Sequence, residues 1–264
     1  MGLENKLKQQ KINKNMSKVA LITQARLGST RFKQKILHPL SQTDTVLSLH
    51  LERISLCKSI DLFYVATVEE IGSDLIAQIA KQNNFNVFQF NGNIDDVLAR
   101  FYFNSKLFEV DYIVRVTSDC PLIDSKLIDK IVEFTIFNDL DYCSNTLIDE
   151  YPDGQDIEVF KSDMLKKTYK FAKLASDREH VTPYMKRNAN KIRQFSDQNS
   201  TEFSKIRMTV DYPEDILVIK ECLNNFGKES SWKEYANFIY TNQNKFKNQT
   251  FIRNSGYLKS IKND

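Results

Sequence analysis

From residue 19 to residue 137, short branched apolar runs alternate with longer amphipathic stretches. Val19-Ala20-Leu21-Ile22 reads as a buried strand. A helical pattern from about Thr45 to Ser59 follows, with Val46, Leu47, Leu51 and Ile54 on one side. Leu62–Ala66 is a second strand. Ser73 is placed to cap a helix carrying Leu75, Ile76, Ile79 and Ala80. Asn86–Phe90 reads as a third strand. Ile94, Val97, Leu98, Phe101 and Phe108 mark the next helix, with Asp95 and Asp96 in a first turn where the dipole favours them. Asp111–Val116 is a fourth strand, and Ser125–Phe137 a further helix. Strands and helices in this rhythm predict an α/β fold around a parallel sheet. Beyond residue 140 the rhythm loosens. A turn at Tyr151–Gly154 leads to a β-like Ile157–Phe160 and a helix over Ser162–Ala172. Ile206–Val210 reads as a late strand and Glu214–Asn224 as a helix, before an Asn- and Lys-rich final stretch. No internal repeat is visible.

Composition excludes several classes. Only seven of the 264 residues are glycine: Gly2, Gly28, Gly72, Gly92, Gly154, Gly227 and Gly256. No G-x-G-x-x-G or G-x-x-x-x-G-K-[ST] run exists, so the glycine-rich dinucleotide and triphosphate loops are absent. With 37 basic and 34 acidic residues, bulk charge gives no reason to expect nucleic acid or a membrane surface as partner. Cys57, Cys120, Cys143 and Cys222 are dispersed, with no C-x-x-C pair and no histidines grouped near them. The expectation is free thiols in a reducing cytoplasm, without zinc or disulfides. No window approaches the ~18 apolar residues of a membrane span. Residues 1–16 are polar and basic, lack the apolar middle of a signal peptide, and read as a disordered lead-in, with Met16 an alternative start.

The loop after the first strand carries the strongest chemical signal. Gln24-Ala25-Arg26-Leu27-Gly28-Ser29-Thr30-Arg31-Phe32-Lys33-Gln34-Lys35 places Arg26, Arg31 and Lys35, a glycine and two hydroxyls at the carboxyl end of a parallel strand. Ligands usually bind there. Cations around a bare backbone suit a polyphosphate, although a solvated basic loop has the same composition. Asp119, following the fourth strand and preceding Cys-Pro, suits Mg²⁺, which takes one or two carboxylates with phosphate oxygens and water. Its alternative is a turn or cap. Asp211, at the end of the late strand and before Tyr-Pro, offers the same choice.

Seven ordered motifs resemble a known family: Gln-Ala-Arg-Leu-Gly-Ser-Thr-Arg with Lys35; Val-Ala-Thr at 65–67; Asn-Ile-Asp-Asp-Val-Leu-Ala-Arg at 93–100; Arg-Val-Thr-Ser-Asp-Cys-Pro-Leu-Ile-Asp at 115–124; Tyr-Pro-Asp-Gly-Gln-Asp-Ile-Glu-Val-Phe at 151–160; Ser-Asp-Arg-Glu-His-Val-Thr-Pro-Tyr at 176–184; and Thr-Val-Asp-Tyr-Pro-Glu-Asp at 209–215. Over roughly residues 17 to 225 the chain resembles the cytidylyltransferases, in the branch of spore-coat polysaccharide biosynthesis protein F. That branch is similar to CMP-KDO synthetase and acylneuraminate cytidylyltransferase. The resemblance implies a nucleotide-diphospho-sugar transferase (GT-A-like) three-layer α/β fold with a mixed, mainly parallel sheet. It implies Mg²⁺-dependent transfer of CMP from CTP to an acidic sugar or related acceptor in surface polysaccharide biosynthesis, with release of pyrophosphate. A homodimer is also implied. The corresponding division is a lead-in at 1–16, a cytidylyltransferase domain at 17–240 and an extension at 241–264.

Carried over by position, Arg26, Ser29, Arg31 and Lys35 hold the triphosphate, with Gly28 letting the backbone approach it. Ala25, Ala66 and Thr67 line the cytidine pocket, and Asp119 and Asp211 ligate Mg²⁺. Arg26, Lys35, Asp119 and Asp211 carry the chemistry. Two departures stand out. The family's Arg-Leu-Pro-Gly-Lys is here Arg31-Phe32-Lys33-Gln34-Lys35, and Ser118 replaces the usual glycine beside the nucleotide. Arg115, Asp153, Asp156, Glu158 and His180 are acceptor-binding candidates. For each a structural role is the alternative: an ion pair for Arg115, a turn or strand edge for the acids, and packing or a dimer contact for His180. Two other functions are weighed. A sugar-nucleotide-dependent glycosyltransferase would place an Asp-x-Asp pair on metal, and Asp139-Leu140-Asp141 has that spacing. A non-catalytic nucleotide-binding relative would explain the departures.

Overall fold

The computed structural model describes residues 17–29, 31–197, 201–253 and 255–264. The lead-in, with Gly2 and Met16, and Thr30 of the basic loop lie outside the described residues. Among the described residues seven strands form one sheet: β1 (Val19–Gln24), β2 (Leu62–Val68), β3 (Asn86–Phe90), β4 (Tyr112–Thr117), β5 (Tyr142–Ser144), β6 (Glu158–Lys161) and β7 (Ile192–Gln194). Their order is β3-β2-β1-β4-β6-β5-β7. β1 pairs in parallel with β2 (Ala20 opposite Leu62) and with β4 (Val19 opposite Tyr112), and β2 pairs in parallel with β3. β6 enters antiparallel between β4 and β5, placing Glu158 opposite both Arg115 and Ser144. β5 and β7 are again parallel.

The helices are α1 (Val46–Ile54), α2 (Ser73–Gln82), α3 (Val97–Asn104), α4 (Ser125–Phe137), α5 (Ser162–Phe171), α6 (Ala175–His180), α7 (Pro183–Asn188), α8 (Pro213–Phe226), α9 (Trp232–Asn242) and α10 (Ser255–Ser260). Several of them start where a side chain takes up orphan amides. Thr45 and Ser48 form a capping box on α1, Asp96 accepts from Ala99 N on α3, and Asp124 accepts from Lys126 N and Leu127 N on α4. Side chains alternate across the pleat. Leu21, Val65 and Val114 therefore face a layer containing Leu47, Leu51, Ile128 and Ile219. Ile22, Ala66 and Ile113 face Val97, Leu98, Phe101 and Leu165 on the other side. The result is a three-layer α/β sandwich. Each fully buried Leu or Ile contributes roughly 1.5–3 kcal/mol of transfer free energy.

The sequence pattern missed some boundaries. Ile206–Val210 is not a strand of the sheet. β6 already occupies the ladder beside β4, so this segment lies across the turns at the strand ends, with one bridge from Arg207 to Asp153 and a hydrogen bond from Val210 N to Asp119 O. Gly72, at φ +89°, caps α2, and Ser73 is its first residue. α1 stops at Ile54, and α3 stops at Asn104, before a 3-10 turn over Ser105–Leu107. Asp95 stays outside α3 and pairs with Arg26. The short β5, β7, α6 and α7 and the longer α9 were not anticipated. The division at residue 240 falls inside α9, and Asn248 beyond it is buried against Asp215.

Candidate active site

The chain runs outward from β1 through β2 to β3 and returns to β4 beside β1. This reversal opens a crevice at the carboxyl ends of β1 and β4. A cleft of about 460 Å³ lies there. Its floor and one wall come from the loop after β1. Ala25 N still pairs with Ala66 O, Leu27 N bonds to Glu70 Oε1 at 2.5 Å, and Gln34 N closes back on Leu27 O. This folding turns Ala25, Arg26, Ser29, Arg31 and Lys35 to the cleft.

Lys35 forms the centre of the site. Its ammonium lies 2.6 Å from Asp119 Oδ2 and 2.7 Å from Asp211 Oδ1. Arg31 also reaches Asp211 Oδ1, at 2.7 Å. Burial would push the Asp119 carboxyl up, but the charge of Lys35 outweighs it and holds Asp119 well below the usual carboxylate range. The Lys35 ammonium is shifted upward, because the two carboxylates outweigh its own desolvation. Asp119 is fixed by its backbone, since Asp119 O accepts from Val210 N and Thr209 Oγ1. Asp211 is fixed through Asp215, whose Oδ2 accepts from the amides of Asp211 and Tyr212, and through Arg207, which donates to Asp153, Asp211 and Asp215. The two carboxylates that share the Lys35 ammonium form an all-oxygen donor set. That set suits Mg²⁺ completed by phosphate oxygens and water.

The departures are accommodated locally. Gln34 takes φ +54°, the left-handed conformation that glycine would occupy without strain. Ser118 turns its hydroxyl to Gln24 O at 2.6 Å. Gly28 is not in the left-handed region; a Cβ there would meet Glu70 and Ile94 at ordinary contact distances, and Gly28 does not line the cleft.

The remaining candidates divide. His180 lines the cleft, and burial followed by the charge of Arg115 lowers its pKa to about 4. Ala66 and Thr67 lie beneath the loop, fully buried, and do not line the cleft. Arg115 pairs with Glu158, which also accepts from Tyr142 Oη and Thr182 Oγ1 at 2.6 Å each and meets Lys186 at 3.2 Å. Burial alone would raise the Glu158 carboxyl, yet Lys186 and Arg115 pull it down to about 2. Asp156 pairs with Arg253 at 2.6 Å. Asp153 pairs with Arg207 at 2.8 Å, and burial followed by the charge of Asp156 lifts it to about 7. These four side chains form the layer behind the cleft rather than its lining.

Sequence reasoning missed Arg100, Glu179, Lys259 and Ser260, all of which line the cleft. Arg100 is almost fully buried, donates to Ile94 O at 2.7 Å, and has its pKa lowered to about 10 by burial and then by Arg26. Its signal was a charged residue three positions after Val97, on the apolar face of α3.

A larger depression of about 890 Å³ lies at the other end of the sheet. Several of its charges are held by neighbours: Lys161 by Asp139 and Asp141, Lys166 by Asp163, and Asp111 by Lys18 N. The smaller cleft holds the strand ends, the cationic loop and the shared carboxylates, which make it the candidate active site. The Asp139-x-Asp141 pair is at the wrong end of the sheet and is held by lysines.

The model of the cytidylyltransferase family matches residues 20–248. An uncharacterized protein of Methanocaldococcus jannaschii is 38% identical over 214 residues, covering 79% of this chain and 84% of its own. The spore coat polysaccharide biosynthesis protein SpsF of Bacillus subtilis is 28% identical over 220 residues, covering 81% and 89%. The solved structure of a cytidylyltransferase from Leptospira borgpetersenii serovar Hardjo-bovis superposes with a TM-score of 0.81 at 34% identity, covering 90% of this chain and 100% of that one. The fold and the site define a nucleotidyltransferase. The chain belongs to the cytidylyltransferase family and is a CTP-dependent enzyme.

Proposed function

We propose that this protein transfers CMP from CTP to an acidic sugar, with release of pyrophosphate, in the making of a surface polysaccharide. The observation that carries the proposal is the convergence of Asp119 and Asp211 on one cationic point beneath the Arg26–Lys35 loop. The acidic acceptor is supported by the cationic excess of the cleft. Arg26, Arg31, Lys35, Arg100 and Lys259 line it against Asp119, Asp211 and Glu179. The motifs also resemble those of enzymes that activate acidic sugars. The polysaccharide setting is supported by the name of the Bacillus subtilis relative.

An acceptor hydroxyl oxygen attacks the α-phosphorus of CTP and its proton is lost to solvent. The bond from that phosphorus to the β-phosphate's bridging oxygen breaks, and pyrophosphate leaves. Arg26, Arg31 and Lys35 neutralise the triphosphate and the departing charge, while the loop backbone and Ser29 fix its position. Asp119 and Asp211 would hold Mg²⁺, which supplies charge neutralisation on the phosphate oxygens. No protein nucleophile is needed.

The test is pyrophosphate release from CTP and Mg²⁺ across a panel of acidic sugars. Asp119→Asn and Asp211→Asn should each lower turnover by ~100-fold or more while the protein stays folded. Full activity in both variants would remove the carboxylates from the reaction. The non-catalytic alternative has lost its support, since the Gln34 and Ser118 departures leave every cation and carboxylate in place.

A further inference from the structure

The segment from residue 255 to residue 264 lies beyond the span matched by the family model, which ends at residue 248, yet it reaches the cleft. It is anchored at both ends. Just before it, Arg253 donates to Tyr151 O at 2.9 Å and to Asp156 Oδ1 at 2.6 Å. At its far end, the Asp264 carboxylate accepts from Ser176 N at 2.8 Å and Ser176 Oγ at 2.6 Å, on the first turn of α6. Between the anchors, the Tyr257 ring meets the His180 ring edge-on at 5.1 Å. Lys259 and Ser260 complete the cleft beside Glu179 and His180.

The charges here differ from those of the basic loop. Arg26 is on Asp95, and Arg31 and Lys35 are on Asp211 and Asp119. Lys259 makes no ion pair or hydrogen bond among the described residues. His180 Nε2 is buried without a hydrogen-bond partner among the described residues; Glu179 Oε2, at 3.8 Å, is beyond bonding distance. An ammonium with three donors and a buried imidazole nitrogen thus face the same space. Under the proposed function the loop cations serve the triphosphate, which leaves these two groups for the second substrate.

We propose that this C-terminal strap forms the acceptor side of the site, with Lys259 binding the acceptor's carboxylate or phosphate and Tyr257 setting the orientation of the His180 ring. The inference rests on the reading of the protein as a cytidylyltransferase with an anionic acceptor. It makes the strap a determinant of acceptor choice supplied from outside the part of the chain that the family shares.

The experiment follows pyrophosphate release from CTP with 2-keto-3-deoxy sugar acids and sugar phosphates, for the wild type, Lys259→Gln, Lys259→Arg and Tyr257→Ala. CTP binding is measured in parallel by calorimetry, and melting curves establish folding. Lys259→Gln should raise the acceptor KM by ~10-fold or more, as expected for a lost charge-assisted contact. KM and Kd for CTP should stay within about twofold. Lys259→Arg should recover part of the loss, and Tyr257→Ala should raise the acceptor KM alone. An unchanged acceptor KM in folded Lys259→Gln overturns the inference and leaves the function intact. An equal loss of CTP affinity also overturns it, because Lys259 would then serve the nucleotide. A wild type that binds CTP but accepts no acid of the panel overturns the acceptor reading and this inference with it.

Discussion

Lys35 Nζ donates to Asp119 Oδ2 at 2.6 Å, joining the loop after β1 to the turn after β4 across 84 residues of sequence. The same ammonium holds Asp211 at 2.7 Å. One side chain therefore keeps two carboxylates together that would otherwise repel, at the point where the metal is proposed to sit. Lys35→Met should cost about 2 kcal/mol in a chelating buffer, below the range for a fully buried pair because the carboxylates are partly exposed. Mg²⁺ should restore more stability to the variant than to the wild type, because the ion replaces the missing charge. Melting curves with EDTA and with Mg²⁺ measure this, and an identical Mg²⁺ response in the two proteins would exclude the shared metal position.

Gln34 provides a test in the opposite direction. It sits at φ +54°, where a side chain costs about 1 kcal/mol relative to glycine. Gln34→Gly should stabilise the protein by ~1 kcal/mol or less, since glycine also loses more chain entropy on folding. CTP affinity should not fall, because no contact to the cleft is assigned to this side chain. Chemical denaturation reads the stability, and a destabilised variant would show that the glutamine side chain contributes more than its backbone strain removes.

The legible part of this molecule was local. Branched apolar runs and helical spacing marked β1 to β4, and the helix expected near Ser125–Phe137 has those bounds, with Asp124 capping it and Asn138 following it. The loop cations, Asp119 and Asp211 were visible because charges next to a predicted strand end stand out. What stayed hidden depends on tertiary context. β5 and β7 have three residues each and carry no periodicity. The segment around Ile206–Val210 has strand-like composition, but the sheet position it would need is filled by β6. Arg115 and Glu158 lie in separate motifs, and only the antiparallel register of β4 and β6 makes them partners. Lys259 sits in an Asn- and Lys-rich stretch where composition gives no reason to choose one lysine over another.

Gly154 is a glycine whose backbone the fold requires. Its φ is +107°, and a Cβ there would lie 2.8 Å from the carbonyl carbon of Met208 and 2.9 Å from Thr209 N. The turn at 152–155 packs against the strip leading to Asp211, with Met208 N bonded to Asp153 O at 2.7 Å. Gly154→Ala should therefore destabilise by about 3 kcal/mol through combined strain and overlap. It should also lower turnover, because displacement of the strip moves Asp211. A thermal shift alone, with kcat intact, would show that the strip relaxes without carrying Asp211 along.

His50 links the core to the turn after β4 and should set a pH dependence. It lies on the buried face of α1, with Nδ1 donating to Cys120 O at 3.0 Å and Nε2 accepting from Thr23 Oγ1 at 2.9 Å. That pattern needs the neutral ring. Burial lowers its pKa from 6.5 to about 4, and Arg53 adds to the shift against the opposing effects of Cys120 O and Asp119. The folded-state pKa is below the unfolded one, so between them the unfolded chain binds a proton that the folded chain does not. Stability is therefore complete above about pH 6.5 and falls as the pH drops toward 4, by up to about 3 kcal/mol from this residue. His180, also lowered to about 4, titrates in the same window. His50→Gln keeps one donor and one acceptor for Cys120 O and Thr23. It should be about 1 kcal/mol less stable at pH 7.5 and lose roughly half as much as the wild type on acidification to pH 5. Urea midpoints at several pH values read both effects, and an unchanged slope would show that His50 is not held neutral by the fold.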